Sequence, residues 1–402
     1  MSATADPRLT GARPPPRRGL SLSWSDPRVR GVVWQVLVVG LVVALVWYLV
    51  GNTNRNLAAR HIATGFGFLG RTTSIPIGEH LISYQPTVDT YGRALVIGVL
   101  NTLRVAVVGV VLTTILGTAI GVARLSRNWL LARLAGIYVE VLRDTPVLLQ
   151  LIFWYLLLQG LPGPKQAWQL LPGVFLSNRG ARVPVLDWAP AYAWVLAALA
   201  AGIAATWLWA RVARVRQERT GARPPVWPVG LAGIAGLPVL AWAALGAPFH
   251  LDLPALRGFN FQGGAALTPE YFALTFGLVL YTAAYIAEIV RAGILAVPRG
   301  QWEAGEALGL GRGAVLRRIV LPQTLRVVVP PMTSQYLNLV KNSSLAIAIG
   351  YQDVTSIAST VLNQTGQAIE GIACVMAVYL TISLGISLFM NWYNARIALA
   401  ER

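Results

Sequence analysis

Polar side chains are concentrated in one otherwise apolar stretch, residues 327–349. They are Asn338, Lys341, Asn342, Ser343 and Ser344. Polar groups cost free energy in hydrocarbon, so we expect these side chains to face the protein interior or water. The ammonium group of Lys341 is suited to binding a carboxylate. That carboxylate belongs either to a charged solute or to Glu288 in another apolar run, so a solute path and a structural ion pair both remain open.

A second set of residues has fixed spacing but contains no catalytic group. It lies within residues 298–325 and comprises Gln301, Glu303, Ala304, Ala307, Leu308, Gly309, Ile319, Leu321 and Pro322. Pro298 ends the apolar run before this segment, and Pro322 limits the helix after it. Between them the sequence predicts a short helix with Glu303 in its first turns, where the helix dipole favours a carboxylate. Glycines at 309, 311 and 313 then end that helix.

This spacing resembles the EAA loop of binding-protein-dependent ABC import permeases. That loop has Glu-Ala-Ala, a following glycine, and Ile-x-Leu-Pro; here Gly305 stands where the second alanine is usual. The resemblance implies a coupling helix that sits in a cleft of a separate ATPase subunit. We expect the apolar side chains of this helix to be buried in the partner's groove and Glu303 to pair with a partner arginine. The apolar set is Trp302, Ala304, Ala307 and Leu308.

Composition identifies an integral membrane protein. The chain has 402 residues, of which 55% are hydrophobic and 12% charged, with a net charge of +17. The basic residues are bunched between apolar runs, which is the positive-inside pattern and argues against a nucleic-acid partner. The chain contains two lysines, Lys165 and Lys341, and neither follows a glycine, so a P-loop is excluded. Scattered histidines favour no metal site, and we expect no cofactor in this chain.

Hydropathy predicts eight membrane spans of sufficient length. They are residues 31–51, 93–122, 145–161, 188–210, 226–246, 269–297, 327–349 and 371–392. Residues 52–90, 162–187 and 247–269 are then external, the first as an interfacial segment and the others as loops. Arg104, within the second span, is a candidate for function or for a structural role near the outer end. Asp353 and Gln352 are expected in a solvated external loop, and Tyr281 and Tyr285 in helix packing.

Counting basic residues determines the predicted orientation. Most arginines fall in the five segments that are cytoplasmic when both termini are inside, and this arrangement also places the EAA-like loop in the cytoplasm. The domain division that follows is a disordered cytoplasmic tail (1–30), a first span with an external segment (31–90), a first core segment (91–160), an insert with two extra spans (161–267) and a second core segment (268–395).

Two further resemblances narrow the family. The run Tyr138-Val139-Glu140-x-x-Arg143-Asp144-Thr145-Pro146 is similar to the segment that introduces this span in the polar-amino-acid branch of the permeases. The helix pair within 161–267 resembles the insert in the larger permease subunit of general L-amino acid transporters. We expect that pair to be peripheral.

The sequence therefore predicts an all-α integral membrane protein with about eight transmembrane helices, resembling a type I ABC importer transmembrane domain with an inserted helix pair. The implied function is that of a permease subunit, not an enzyme, in ATP-driven amino-acid import across the bacterial inner membrane. Implied partners are a second permease subunit, an ATPase dimer that binds ATP and Mg²⁺, a periplasmic amino-acid-binding protein and membrane lipid. An ion-coupled secondary amino-acid transporter is the alternative, although no internal repeat supports it.

Overall fold

The computed structural model describes residues 27–59, 64–222, 224–247 and 249–397. The chain divides into two units, one ending at Gly65 and the other beginning at Phe66. In the first unit, α1 (Pro27–Ala59) extends the predicted span of residues 31–51 at both ends. Most of the predicted tail, residues 1–30, lies outside the described residues.

The second unit is mainly helical. Its helices are α2 (Tyr91–Ala123), α3 (Trp129–Asp144), α4 (Val147–Gln159), α5 (Ala191–Thr220), α6 (Trp227–Leu231), α7 (Leu237–Ala244), α8 (Pro269–Leu295), α9 (Arg299–Ala307), α10 (Arg312–Val315), α11 (Leu321–Asn342), α12 (Val354–Thr365) and α13 (Ala368–Ile397). Within the described residues, six helical segments are long and apolar enough to cross a membrane, and two bent helix pairs raise the number to eight.

Helices α2 and α8 approach each other closely because small residues line their contact. A Cβ added to Gly121 would lie 2.6 Å from the Ala287 carbonyl oxygen, and one added to Gly117 would lie 2.9 Å from that of Ala283. Small residues allow this approach between membrane helices, where close packing and not the hydrophobic effect drives association. Helix α8 is buried along most of its length and is the centre of the unit.

The predicted third span, residues 145–161, forms as α4, and α3 precedes it as a separate helix at a sharp angle. Helices α3 and α4 meet at 106°. Thr145 is extended because the residue before a proline is disfavoured in helical conformation, and Pro146 lacks the N–H that would continue the helix. The Gln150 side-chain amide donates to the carbonyls of Leu142 (2.9 Å) and Thr145 (3.0 Å). These hydrogen bonds satisfy two backbone carbonyls at the bend between the helices.

The predicted solvated loop after the seventh span is wrong. Helix α11 continues into a 3-10 helix (Ser343–Ile349), and α12 then turns by 52°. Asp353 is fully buried and caps α12 by accepting from the Ser356 amide (2.8 Å), while the Tyr379 hydroxyl donates to it (3.1 Å). Gln352 also has structural bonds, donating to the Pro76 carbonyl (2.5 Å).

Short strands occupy the segments for which the sequence predicts external loops. They are β1 (Trp168–Leu171), β2 (Val174–Ser177), β3 (Gly180–Val183), β4 (Val185–Leu186), β5 (Leu251–Asp252), β6 (Ala255–Arg257), β7 (Asn260–Gln262) and β8 (Ala265–Leu267). One antiparallel sheet has the order β1-β2-β3-β8, and β4-β5 and β6-β7 form two-stranded pairs. Strand β8 leads directly into α8, so the sheet joins the insert to the core.

The inserted helices pack on each other with backbone contact. Between α6 and α7 lies a π-helical turn, residues 232–236. A Cβ on Gly202 of α5 would lie 1.9 Å from the Gly233 carbonyl oxygen, so only glycine fits there. The two apolar helical segments within residues 161–267 are therefore in direct contact.

The segment that precedes α2, predicted to be external, folds onto the end of the helices. Glu79 forms an ion pair with Arg104 of α2 at 2.6 Å, and it also accepts from the Thr268 amide at 2.7 Å. The Arg104 guanidinium lies 4.0 Å from the centroid of the Tyr271 ring. The Asn101 amide donates to the Glu79 carbonyl (3.0 Å). Arg104 therefore has the structural role, and Phe68, Ile75 and Tyr84 of the predicted interfacial segment are buried in the core.

We predict that Glu79→Ala destabilises the protein by about 1–3 kcal/mol, because it leaves Arg104 partly buried without its counter-ion. A lower thermal denaturation midpoint of the purified protein would show this. In the double variant Glu79→Ala/Arg104→Ala the loss should be smaller than the sum of the single losses. Asp187→Asn, at an exposed position, is the matched control; additive losses would contradict the ion pair's role.

Candidate coupling loop and solute path

Helix α9 forms at the predicted position and is held by local chain chemistry. The helix begins after Pro298 and ends at Ala307, and Leu308 is its capping residue. Gly309 follows with φ of +76°, a conformation that side chains rarely adopt, and its N–H donates to the Glu306 carbonyl at 2.9 Å. The glycine of the motif is thus required by the turn itself. A substitution at Gly309 strains the chain whether or not a partner is present.

Gly305, the departure from the usual motif, lies at a close contact. It is buried, and an added Cβ would lie 2.9 Å from Val315 Cγ2 and 3.0 Å from Ile319 Cδ1. Its carbonyl accepts from the Leu310 amide at 3.2 Å. The absence of a side chain therefore lets α9 pack against the following helical turn, so the departure tightens the loop.

The inner side of the loop has its own small apolar core. Val297, Val315 and Val320 are buried, and partly buried apolar side chains pack against them, namely Trp302, Leu310 and Ile319. Trp302 therefore does not belong to the surface offered to a partner, which corrects the prediction from the sequence. The core joins the end of α8 to the start of α11 through α9.

The outer side of α9 is exposed. It consists of Glu303, Ala304, Ala307 and Leu308, which we call the α9 outer face. Leu308, the residue that caps the end of α9, has 79% of its surface exposed. Beside this face Glu306 pairs with Arg312 at 3.2 Å.

The remaining loop candidates serve the start of α11. The Gln323 side chain donates to Gln301 Oε1 at 3.4 Å, joining α9 to α11. Leu321 is 45% exposed and Pro322 occupies the first turn of α11, where a missing N–H is harmless.

Glu288 is held by two arginines and not by Lys341. Its carboxylate accepts from Arg291 (Nη2–Oε1 2.5 Å) and from Arg124 at the end of α2. The alternative of a Lys341–Glu288 ion pair is therefore wrong in this conformation. The sequence contains an indication of the Glu288–Arg291 contact that the prediction did not use. Arg291 lies three residues after Glu288 on one helix face, a favourable spacing for an ion pair.

The polar residues of the predicted seventh span separate into two groups. Asn338 and Lys341 are exposed, one turn apart on α11, and Ser334 continues the same exposed face. Among the described residues Lys341 has no ion-pair partner. Asn338 and Lys341 are the members of the candidate set that remain available to a solute. Together with Ser334, which was not a candidate, we call them the α11 polar face.

The other members of the set serve the chain itself. Ser343 is buried and its hydroxyl donates to the Val340 carbonyl, while Ser344 donates to the Lys341 carbonyl, both at 2.7 Å. Asn342, half-buried, is the last residue of α11. These serine contacts help α11 change into the 3-10 helix.

A further polar cluster lies where α3 meets α8. The Tyr281 hydroxyl donates to the Tyr285 hydroxyl at 3.2 Å, and the Arg143 guanidinium lies 5.1 Å from the Tyr285 ring centroid. The two tyrosines contact each other as predicted from their spacing, with ring centroids 5.0 Å apart. Arg143 was not among the candidate site residues, although the sequence places it just before Thr145-Pro146.

Comparison with known proteins identifies the family. Residues 234–399 match the family of binding-protein-dependent transport system inner membrane components. YhdX of Escherichia coli (strain K12), named as an amino-acid ABC transporter permease, is 52% identical over 95% of this chain and 98% of its own length. The chain belongs to the amino-acid ABC transporter permeases. This membership confirms the predicted fold class, a multi-pass helical membrane protein of the type I importer class.

Other relatives are also full-length matches. The general L-amino acid transport system permease protein AapQ of Rhizobium johnstonii is 48% identical over 94% of each chain. The glutamate/glutamine/aspartate/asparagine transport system permease protein BztB of Rhodobacter capsulatus is 42% identical over 97% of this chain and 99% of its own. A crystal structure of an amino acid ABC transporter with histidines has a TM-score of 0.45 and 19% identity, covering 76% of this chain and 95% of that one.

We predict different stability effects for the two charged candidates. Glu288→Gln should lower the free energy of unfolding of this permease by about 1–3 kcal/mol, because Arg124 and Arg291 lose their common counter-ion. Lys341→Met should leave stability within about 0.5 kcal/mol, because its ammonium has no ion pair to lose. Thermal denaturation of both purified variants tests this prediction. An equal loss of stability in both variants would contradict it and support a Lys341–Glu288 ion pair.

Proposed function

We propose that this permease couples ATP hydrolysis in a partner ATPase dimer to the import of amino acids. The observation that carries the proposal is α9, with its exposed outer face and its rear side packed into the chain's own core. A helix that serves only as a connection has no reason to expose Leu308 and two alanines beside a carboxylate. An amphipathic helix of this kind fits a groove in another protein.

Helix α9 is joined to two of the long helices by packed apolar side chains. Val297 extends the rear core to the end of α8, and Val315 and Val320 extend it to the start of α11. Because packed apolar contacts transmit displacement, a push on the outer face would shift both helices together. Helix α11 carries Asn338 and Lys341, so the coupling loop and the α11 polar face lie on one mechanical element.

The α11 polar face is the proposed solute path. Exposed Asn338 and Lys341 cannot face lipid at low free-energy cost, so we infer that they face a second permease subunit and water between the two. The ammonium of Lys341 would attract the α-carboxylate that all amino acids share. Specificity for the side chain would then rest with a periplasmic binding protein, in keeping with the broad amino-acid ranges named for AapQ and BztB.

The proposed topology follows from this arrangement. The α9 loop faces the cytoplasm, both termini are cytoplasmic, and the β-strands and residues 64–90 lie on the periplasmic side of the inner membrane. ATP and Mg²⁺ would bind to the ATPase partners. This chain would supply the contact surface and the path.

We predict that Leu308→Asp and Glu303→Lys each reduce ATPase stimulation by amino acid and binding protein about tenfold or more, because each places a wrong charge at the centre of the ATPase contact. The measurement is ATP hydrolysis by the reconstituted complex. Gly313→Asp is the matched control: its site is exposed, free of neighbours within 4 Å, and in the same loop. Normal stimulation by both face variants would remove the proposed contact.

We predict that Lys341→Met raises the KM for amino-acid uptake about tenfold, because the solute carboxylate loses its counter-charge. Uptake into proteoliposomes measures this, and Lys165→Met, which changes the chain's other lysine, is the control. An unchanged KM with a correctly assembled complex would exclude Lys341 from the path.

A further inference from the structure

An apolar cavity lies among α2, α8, α11 and α13, at the end of the bundle that carries α9. Its volume is about 540 Å³, within the range of small-molecule sites. Seventeen residues line it, of which twelve are apolar and five are threonines or tyrosines; representative apolar ones are Val110, Val122, Val290, Leu325, Met332 and Phe389. Neither the α9 outer face nor the α11 polar face lines this cavity.

One wall of the cavity has an unsatisfied hydroxyl group. Thr324 is 4% exposed, and its Oγ1 has no hydrogen-bond partner. Two other wall hydroxyls are paired: Thr114 donates to the Val110 carbonyl (2.6 Å) and shares a hydrogen bond with the Tyr336 hydroxyl (2.8 Å). A buried polar group without a partner is costly, so a ligand oxygen that accepts from the Thr324 hydroxyl would lower the free energy.

The side chains at the mouth of the cavity are apolar and are exposed on the surface of the helical bundle. Val122 is 52% exposed and Phe389 is 60% exposed, although both lie on membrane-spanning helices. Leu321, at the start of α11, is 45% exposed. A mouth of this composition is open to the hydrocarbon of the bilayer and not to water.

Basic residues border the mouth. Arg317 and Arg318 are exposed and lie between the lining residues Leu316 and Leu321. Arg396 follows the lining residue Tyr393 by one turn and stacks 4.6 Å from the Trp392 ring centroid. No carboxylate of the described residues pairs with these three arginines. Arginines beside tyrosine and tryptophan are typical of the headgroup level of a membrane.

We propose that this cavity binds one acyl chain of an anionic phospholipid. The Thr324 hydroxyl donates to a glycerol-ester oxygen, and Arg317 and Arg318 hold the headgroup phosphate. Thr324 lies six residues after Arg318, which is about 9 Å along a helix, so the ester contact falls below the headgroup contact as it does in a lipid. A neutral lipid offers the same chain without the net charge that three arginines favour.

Occupancy would affect the coupling loop. Leu316 and Leu321, which line the cavity, flank the turn whose Val320 belongs to the rear core of α9. Val290 and Ile294 contribute from the α9 end of α8. A bound chain therefore packs on both helices that the loop joins, and its loss leaves them less firmly held.

The test measures lipid retained by the complete complex, without ATP or transport, so its failure would leave the proposed function untouched. The complex is exposed to equal amounts of phosphatidylglycerol and phosphatidylcholine with the same chains, and bound lipid is identified by native mass spectrometry. Val122→Trp fills the mouth and should reduce retained phosphatidylglycerol about tenfold, equivalent to excluding roughly two methylene groups. Val111→Trp is the control: Val111 is on the same face of α2, is also 52% exposed and does not line the cavity.

Two further variants examine the polar contacts. Thr324→Val keeps the shape of the side chain and removes the hydroxyl, so it should lower retention of both lipids. Arg317→Gln/Arg318→Gln removes the two positive charges that hold the headgroup phosphate, so it should reduce the preference for phosphatidylglycerol. Equal retention by the Val122→Trp and Val111→Trp complexes would overturn the proposal. So would a photoreactive group at position 122 that cross-links to another protein chain and not to lipid.

Discussion

The close contact between α2 and α8 is the constraint on which the rest of the structure depends. Gly117 and Gly121 allow the two backbones to meet at Ala283 and Ala287, so α8 is surrounded by protein for most of its length. In lipid such contact is the main source of association between helices, because an apolar surface gains little by leaving hydrocarbon for protein. Both candidate elements, the α9 loop and the α11 polar face, continue from or pack against this centre.

Charged groups secure the same helix pair at two levels. Arg104 of α2 pairs with Glu79 from the segment ahead of the helix, and Arg124 at the end of α2 pairs with Glu288 of α8. A charge near the membrane is retained only where it is paired or wet, and both arginines are paired. Lys341 is the contrasting case: it is exposed and has no ion-pair partner among the described residues, which is the condition expected of a charge that meets a solute.

The α9 loop has one side packed in the core of the protein and one side exposed on its surface. Its rear side is part of the chain's own core, while its outer face has no partner within the described part of this chain. Gly305 and Gly309 allow this division for different reasons, one through close packing and the other through a left-handed turn. The division explains how a helix of nine residues, too short to be stable alone, keeps a defined shape for a partner.

Sequence alone determined the features that depend on local chemistry. Long apolar runs had to become spanning helices, the inserted helix pair among them, and Pro298, Gly309 and Pro322 had to delimit α9. Motif spacing was sufficient to identify the family, because it records the geometry of one short continuous segment. The start of α4 at Thr145-Pro146 was also encoded locally, because a proline ends the preceding helix, whereas the 106° angle between α3 and α4 was not predicted.

Tertiary structure decided how each helix is rotated and what its side chains meet. Glu288 faces Arg124 and not Lys341, Trp302 turns towards Val315 and not outward, and Asp353 is buried as a helix cap. Helices that are apolar on all sides carry little periodicity to indicate which face is inside. Their orientation is therefore set by contacts between residues that are distant in sequence, such as Gly121 with Ala287, and these contacts exist only in the folded protein.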